Sequence, residues 1–294
     1  CQFWMRGLND TYKLTTKTDN FILRVYRKGW RTNAAIAFEV DALNYLHAQG
    51  GKVSRPVERK AGGYITDIMA PEGHRQAILT QYAQGETLSY DDPANARLFG
   101  QAAADIHVRS ADFQTTYQRH KLDLNHLLFN PLAILKDRLS AYPQEIEFFT
   151  DCAKQLSDRV NAISDQLETG FCHGDFHGLN AHAHQGEVTH FDFDCCGFGW
   201  RIYDLATFKW IARKNKKEAE WWPPFLEGYQ SVRPIPALDL DALDAFIAIR
   251  EIWLMAIHLN SPPVFPSQWL NDKYVKRGVE FVKASVSQLM GDDD

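Results

Sequence analysis

Three oxygen-bearing side chains sit close together in one stretch of this 294-residue chain. His173-Gly-Asp-Phe-His-Gly-Leu-Asn180 is followed by His190-Phe-Asp-Phe-Asp194, so Asp175, Asn180 and Asp192 fall within eighteen positions. Four residues separate Asp175 from Asn180, and Asp192 lies twelve beyond Asn180. Mg²⁺ prefers hard oxygen ligands and takes few of them from protein, so one amide oxygen and one carboxylate suffice to hold it. A second carboxylate on a rigid loop can accept a proton from an attacking hydroxyl. Together these groups are the minimum set for moving a phosphoryl group from a nucleotide triphosphate to an alcohol. The competing interpretation is a buried hairpin whose polar residues only satisfy turns.

Such a set needs elements to hold it. Phe171 to Phe193 reads as a β-like island inside helical sequence. Upstream, Thr11–Thr15 and Phe21–Tyr26 alternate as an antiparallel hairpin around Thr18-Asp-Asn. Thr32 or Asn33 caps a helix from Ala34 to Ala48, with Ile36, Val40, Leu43 and Leu46 as its apolar stripe and Gly50-Gly51 as its stop. Val53–Val57, Gly63–Met69 and Ala77–Tyr82 read as extended. After Gly85 helices dominate: Ala94–Val108, Leu132–Leu139, Glu145–Leu167 and Ala242–Leu259. The expected architecture is α+β with two lobes. Residues 1–84 form a small antiparallel β-rich lobe that binds nucleotide. Residues 85–294 form a larger, mainly helical lobe with the chemistry-bearing loop and an acceptor pocket.

Composition bounds the partners. With Lys+Arg 32 against Asp+Glu 37 the net charge is −5, so no basic field is available to hold a nucleic acid. No apolar run reaches the ~18–20 residues that span a bilayer. Five scattered cysteines make neither a disulfide framework nor a zinc site, which points to a reducing, cytoplasmic compartment. The adjacent Cys195 and Cys196 read as small packing residues. The start at Cys1 reads as an N-terminal truncation.

The spacing Asp-x-x-x-x-Asn is that of the kinase catalytic loop. Taken with His-Gly-Asp, Asp192-Phe-Asp194 and Arg201-Ile-Tyr-Asp-Leu-Ala206, the segment resembles the aminoglycoside phosphotransferase / choline kinase-like family, which has a protein-kinase-like fold. The resemblance implies Asp175 as catalytic base and Asn180 and Asp192 as Mg²⁺ ligands. It implies Asp204 as a buried acid that steadies the catalytic loop. Gly7-Leu-Asn-Asp-Thr-Tyr12 is similar to the nucleotide-covering hairpin. Arg24 stands where the strand's basic residue meets the phosphates, and Glu39 matches that residue's acidic partner. Gln81 to Ala83 corresponds to the hinge whose backbone bonds an adenine. The donor implied is ATP, with GTP left open because the covering turn has one glycine, Gly7, in place of a glycine-rich loop. Arg24 in place of Lys is a departure, as is Gly174 in the catalytic triplet. There is no Ala-Pro-Glu signature, which argues against a eukaryotic-type protein kinase.

The acceptor is less legible. His173 is expected to fix the catalytic-loop backbone and His177 to contact substrate. Trp221 and Trp222 are candidates for the acceptor pocket, since aromatic faces attract quaternary ammonium groups. Glu227, Asp244 and Glu251 could pair with amines; Trp210 and Trp253 read as core. His182-x-His184 has too few partners for a zinc site. The expected partner is a small-molecule hydroxyl acceptor of aminoglycoside, choline or homoserine type. Arg24 to Trp30 also looks similar to the bacterial stress-response branch acting on protein Ser/Thr, and a pseudokinase-like binding module is the remaining alternative.

Overall fold

Alternating apolar residues build the first part of the chain into a sheet. In the computed structural model, which describes residues 1–261, 264–265 and 269–291, the strands are β1 (Gln2–Arg6), β2 (Asp10–Thr15), β3 (Asn20–Val25), β4 (Thr66–Ala70) and β5 (Gly73–Gln81). They pair antiparallel in the order β1-β2-β3-β5-β4. The β2–β3 register sets Thr11 opposite Arg24, and β3–β5 sets Arg24 opposite Ile78. Helix α1 (Asn33–Ala48) starts at Thr32, whose hydroxyl accepts the Ala35 N–H at 3.1 Å. Its stripe packs on the sheet: Ile36 and Val40 form a core cluster with Tyr26 and Ile78. Strand β1 was not expected from pattern. All five of its residues are exposed, so no buried face imposes a period of two. Val53–Val57 does not form a strand; it makes isolated bridges, Val53 with His190 and Pro56 with Thr80, because Pro56 has no N–H for a ladder.

The remaining elements are α2 (Pro93–Arg109), α3 (Asn130–Arg138), α4 (Pro143–Ile163), β6 (Thr169–Cys172), β7 (Ala181–His184), β8 (Glu187–His190), β9 (Gly197–Trp200), α5 (Ile202–Lys214), α6 (Glu218–Val232), α7 (Ala237–Asp241), α8 (Leu243–Leu259) and α9 (Asp272–Gly291). This order, antiparallel strands first and mainly helices after, is the expected α+β class. Among the described residues no helix is long and apolar enough to cross a membrane.

The chain divides into two compact units. The first holds residues 1–120, 177–196 and 223–233; the second holds 121–176, 197–222 and 234–294. The boundary expected after residue 84 therefore falls inside the first unit, because the chain beyond it packs against hairpin β7–β8. Glu86 bridges Ala183, and a Cβ on Gly85 would lie 2.0 Å from the Ala183 carbonyl oxygen. Gly85 also has φ +98°, a conformation in which other residues are strained. In the second unit α8 is buried nearly throughout, as its almost continuous apolar sequence requires. There β6 and β9 pair antiparallel, and α5 follows directly.

Candidate active site

In the first unit the polar candidates meet at one cavity. Arg24 comes from β3 and Glu39 from α1. Arg24 Nη1 donates to Glu39 Oε1 at 2.5 Å, and Tyr26 Oη donates to Glu39 Oε2 at 2.8 Å. The other Arg24 nitrogen, Nη2, lies 3.1 Å from Asp192 Oδ1. Burial alone would lower the guanidinium's pKa, but Glu39 and then Asp192 hold it well above its ordinary value. Glu39 is fully buried, and Arg119 approaches its Oε2 at 4.0 Å. Unlike Glu39, Asp192 keeps 39% of its side chain exposed.

Hairpin β7–β8 supplies the rest. A single helical turn, Gly178–Asn180, places Asn180 just before β7, with its N–H on the His177 carbonyl (2.9 Å) and its C=O on the Phe191 N–H (2.9 Å). Gly178 admits no side chain, since a Cβ would sit 1.9 Å from Tyr90 Oη. Asp192 has left-handed backbone (φ 60°, ψ 57°), which Asp tolerates better than most residues. Arg24, Glu39, Asn180 and Asp192 line a cavity of about 270 Å³, together with Ile22, Leu179, Phe191, Trp4, Tyr82 and Ala83.

Residues 81–83, the expected hinge, are more engaged than the sequence suggests. The Gln81 N–H is bonded to the Arg55 carbonyl (2.8 Å) and the Tyr82 N–H to Asn20 (3.1 Å). His182 Nδ1 is 2.7 Å from the Ala83 carbonyl oxygen; because a carbonyl only accepts, Nδ1 carries the proton. Ala83 is a wall of the cavity and Gln81 is not. Gln81 ends β5, paired to Phe21, with an exposed side chain.

A latch not anticipated from sequence lies beside this cavity. The Asp194 carboxylate, 3% exposed as a residue, accepts from Trp30 Nε1 (2.7 Å), Arg31 Nε (2.9 Å) and Asn9 Nδ2 (3.1 Å). Burial would raise its pKa, but Arg31, Arg24 and Arg119 drive it far below the usual carboxylate range. Asn9 belongs to the turn between β1 and β2, so Asp194 ties that turn to the loop carrying Asp192. Cys195 and Cys196 are buried here, and burial pushes the Cys196 thiol up to about 12.

In the second unit Asp204, near the start of α5, accepts the His173 and Gly174 N–H groups, each at 2.7 Å. His173 Nδ1 in turn accepts the Asp175 N–H at 3.2 Å. The Asp175 carboxylate is ion-paired to Arg250 of α8, which sequence reading passed over. Its signal was a lone Arg inside the apolar run Phe246–Met255, a position that demands a partner.

The acceptor candidates separate. His177 is half-buried beside the turn at Gly178. Trp221 and Trp222 are half-buried on α6, and Lys209 Nζ lies 5.5 Å from the Trp222 ring. Glu251 is corrected: it is buried, and its oxygens take Trp210 Nε1 and Lys214 Nζ, each at 2.7 Å, which removes it as a partner for a substrate amine. Glu227 and Asp244 are likewise engaged, by Arg97 and Arg213.

The model of the phosphotransferase enzyme family matches residues 2–246. An uncharacterized protein of Deinococcus radiodurans is 37% identical over 282 residues, covering 94% of this chain and 82% of that protein. A homoserine kinase of Agrobacterium fabrum is 25% identical over 247 residues, covering 80% and 71%. Among solved structures, amicoumacin kinase hAmiN in complex with AMP-PNP, Ca²⁺ and Ami matches with a TM-score of 0.77 at 20% identity, over 98% of this chain and 88% of that one.

Proposed function

From the premise that this chain belongs to the phosphotransferase enzyme family and is a kinase with an alcohol group as acceptor, we propose that its donor is ATP, its cation Mg²⁺ and its acceptor a small-molecule hydroxyl. One observation carries the reading: Arg24, Glu39, Asn180 and Asp192 wall a single cavity together with Ala83. The donor set fits Mg²⁺, since one amide and one part-exposed carboxylate leave room for water and phosphate oxygens. When bound, such a cation offsets the charge of the phosphate oxygens that the acceptor must approach.

Arg24 grips the phosphates through its planar fork, while Glu39 keeps the guanidinium aimed and charged. The Ala83 N–H donates to a ring nitrogen of the base. Asp175 orients the acceptor hydroxyl. That oxygen forms a bond to the γ-phosphorus as the bond to the β-bridging oxygen breaks, and the hydroxyl proton passes to Asp175. Asp204 and His173 hold the backbone that presents this carboxylate. The acceptor's hydroxyl chemistry is shared with the homoserine kinase relative.

The test is Asp175→Ala. Transfer should fall by at least about a thousandfold, with ADP–Mg²⁺ binding by calorimetry nearly unchanged. A variant that keeps full turnover overturns the assignment.

A further inference from the structure

We propose that Arg250 is a positioning residue for phosphoryl transfer, holding the Asp175 carboxylate in the orientation that presents it to the acceptor. The inference rests on Asp175 acting as the base, as proposed above, and it adds a residue beyond the 2–246 span that the family model matches.

Arg250 lies in the buried middle of α8, with 2% of its side chain exposed, whereas Asp175 keeps 23%. A cation taken so far from water is tolerated only with a charged partner and further acceptors. The nearest carboxylate in sequence, Glu251, is occupied by Trp210 and Lys214. Arg250 Nη2 instead donates to Asp175 Oδ1, while Nη1 donates to the Gly174 carbonyl (3.2 Å) and to Tyr203 Oη (3.3 Å).

The guanidinium is itself held in place. Its carbon lies 4.8 Å from the Trp253 ring and 5.5 Å from the Trp210 ring, so two indoles restrict its plane. Gly174 is therefore gripped on both sides, its N–H by Asp204 of α5 and its C=O by Arg250 of α8. The same Arg fixes one oxygen of the residue that follows. The exposed quarter of Asp175 is the edge through which a hydroxyl can reach a carboxylate held at a fixed angle. Misplacement of a reacting group by about 1 Å costs about a hundredfold in rate.

The experiment measures Mg²⁺–ATP turnover, with water or the best of an alcohol panel as acceptor, alongside ADP affinity. Arg250→Gln should lower kcat about 10- to 100-fold while the ADP Kd stays within about twofold. Arg250→Lys keeps the charge but loses the fork, and should recover part of the loss; it also serves if Arg250→Gln does not fold. In the Asp175→Asn background Arg250→Gln should have no further effect, because the two act as a unit. Wild-type kcat in Arg250→Gln, an additive double variant, or turnover and ADP binding lost in parallel overturns the proposal. Full turnover in Asp175→Asn alone overturns instead the reading of Asp175 as base.

Discussion

Arg24 bridges two carboxylates, with Nη1 on Glu39 at 2.5 Å and Nη2 3.1 Å from Asp192. The residue that would grip phosphate is therefore also paired with the residue that would hold the cation. A cation held at Asp192 would compete with Arg24 for that carboxylate and would free one arm of its fork.

Asp192→Ala should weaken ADP binding about tenfold in Mg²⁺, roughly the worth of one charge-assisted contact. In EDTA it should leave affinity unchanged or slightly higher, since Arg24 is then freed from its partner. Calorimetry under both conditions checks this, and an equal loss in EDTA contradicts a metal role.

Arg24→Lys should raise the ATP Kd about 3- to 10-fold, because an ammonium cannot hold Glu39 and a phosphate in one plane. Arg24→Met should also destabilise the fold by about 3–5 kcal/mol, since it removes a buried partner of Glu39. Thermal melts compared with nucleotide titrations separate the two effects.

Gly178→Ala should lower both melting temperature and nucleotide affinity. The added Cβ would meet Tyr90 Oη at 1.9 Å and its ring carbons at 2.5 and 2.7 Å, and the displaced turn carries Asn180. Trimming the obstacle in a Gly178→Ala/Tyr90→Ala double variant should restore part of the affinity. No restoration places the damage elsewhere.

His258 gives the protein an acid-sensitive element. Burial, then Arg250 and Lys214, lower its pKa from 6.5 to about 4, and its Nδ1 is 2.7 Å from Tyr274 Oη. The folded state holds the neutral ring, so the stability this provides is complete above pH 6.5 and is lost as pH falls toward 4. The loss amounts to about 3 kcal/mol across that window. Denaturant melts should show His258→Gln with a shallower pH dependence between pH 6.5 and 4 than the wild type.

Much of the frame was legible because local pattern controls it. The period of Ile36, Val40, Leu43 and Leu46 and the cap at Thr32 fixed α1, and alternation fixed β2 and β3. Strand β1 escaped because it buries no face. Helix α6 escaped because Pro223 and Pro224 lie within it, and proline ordinarily breaks a helix. At the site, Asn180 and Asp192 could be read as neighbours because the single hairpin β7–β8 lies between them and returns the chain to its start. Arg250 could not: 75 positions separate it from Asp175, and no local rule relates them. Asp194 and Arg31, 163 positions apart, are a similar case. How residues 81–83 are engaged was not legible, since the contact from His182 depends on how β7 lies against residue 83.

Glu39 is anchored by Arg24 and Tyr26 and approached by Arg119, with no measurable exposure to water. Swinging α1 outward would strand that carboxylate at a cost of several kcal/mol. A state reached by displacing helix α1 is thus disfavoured in this molecule, because the three partners of Glu39 would have to let go together.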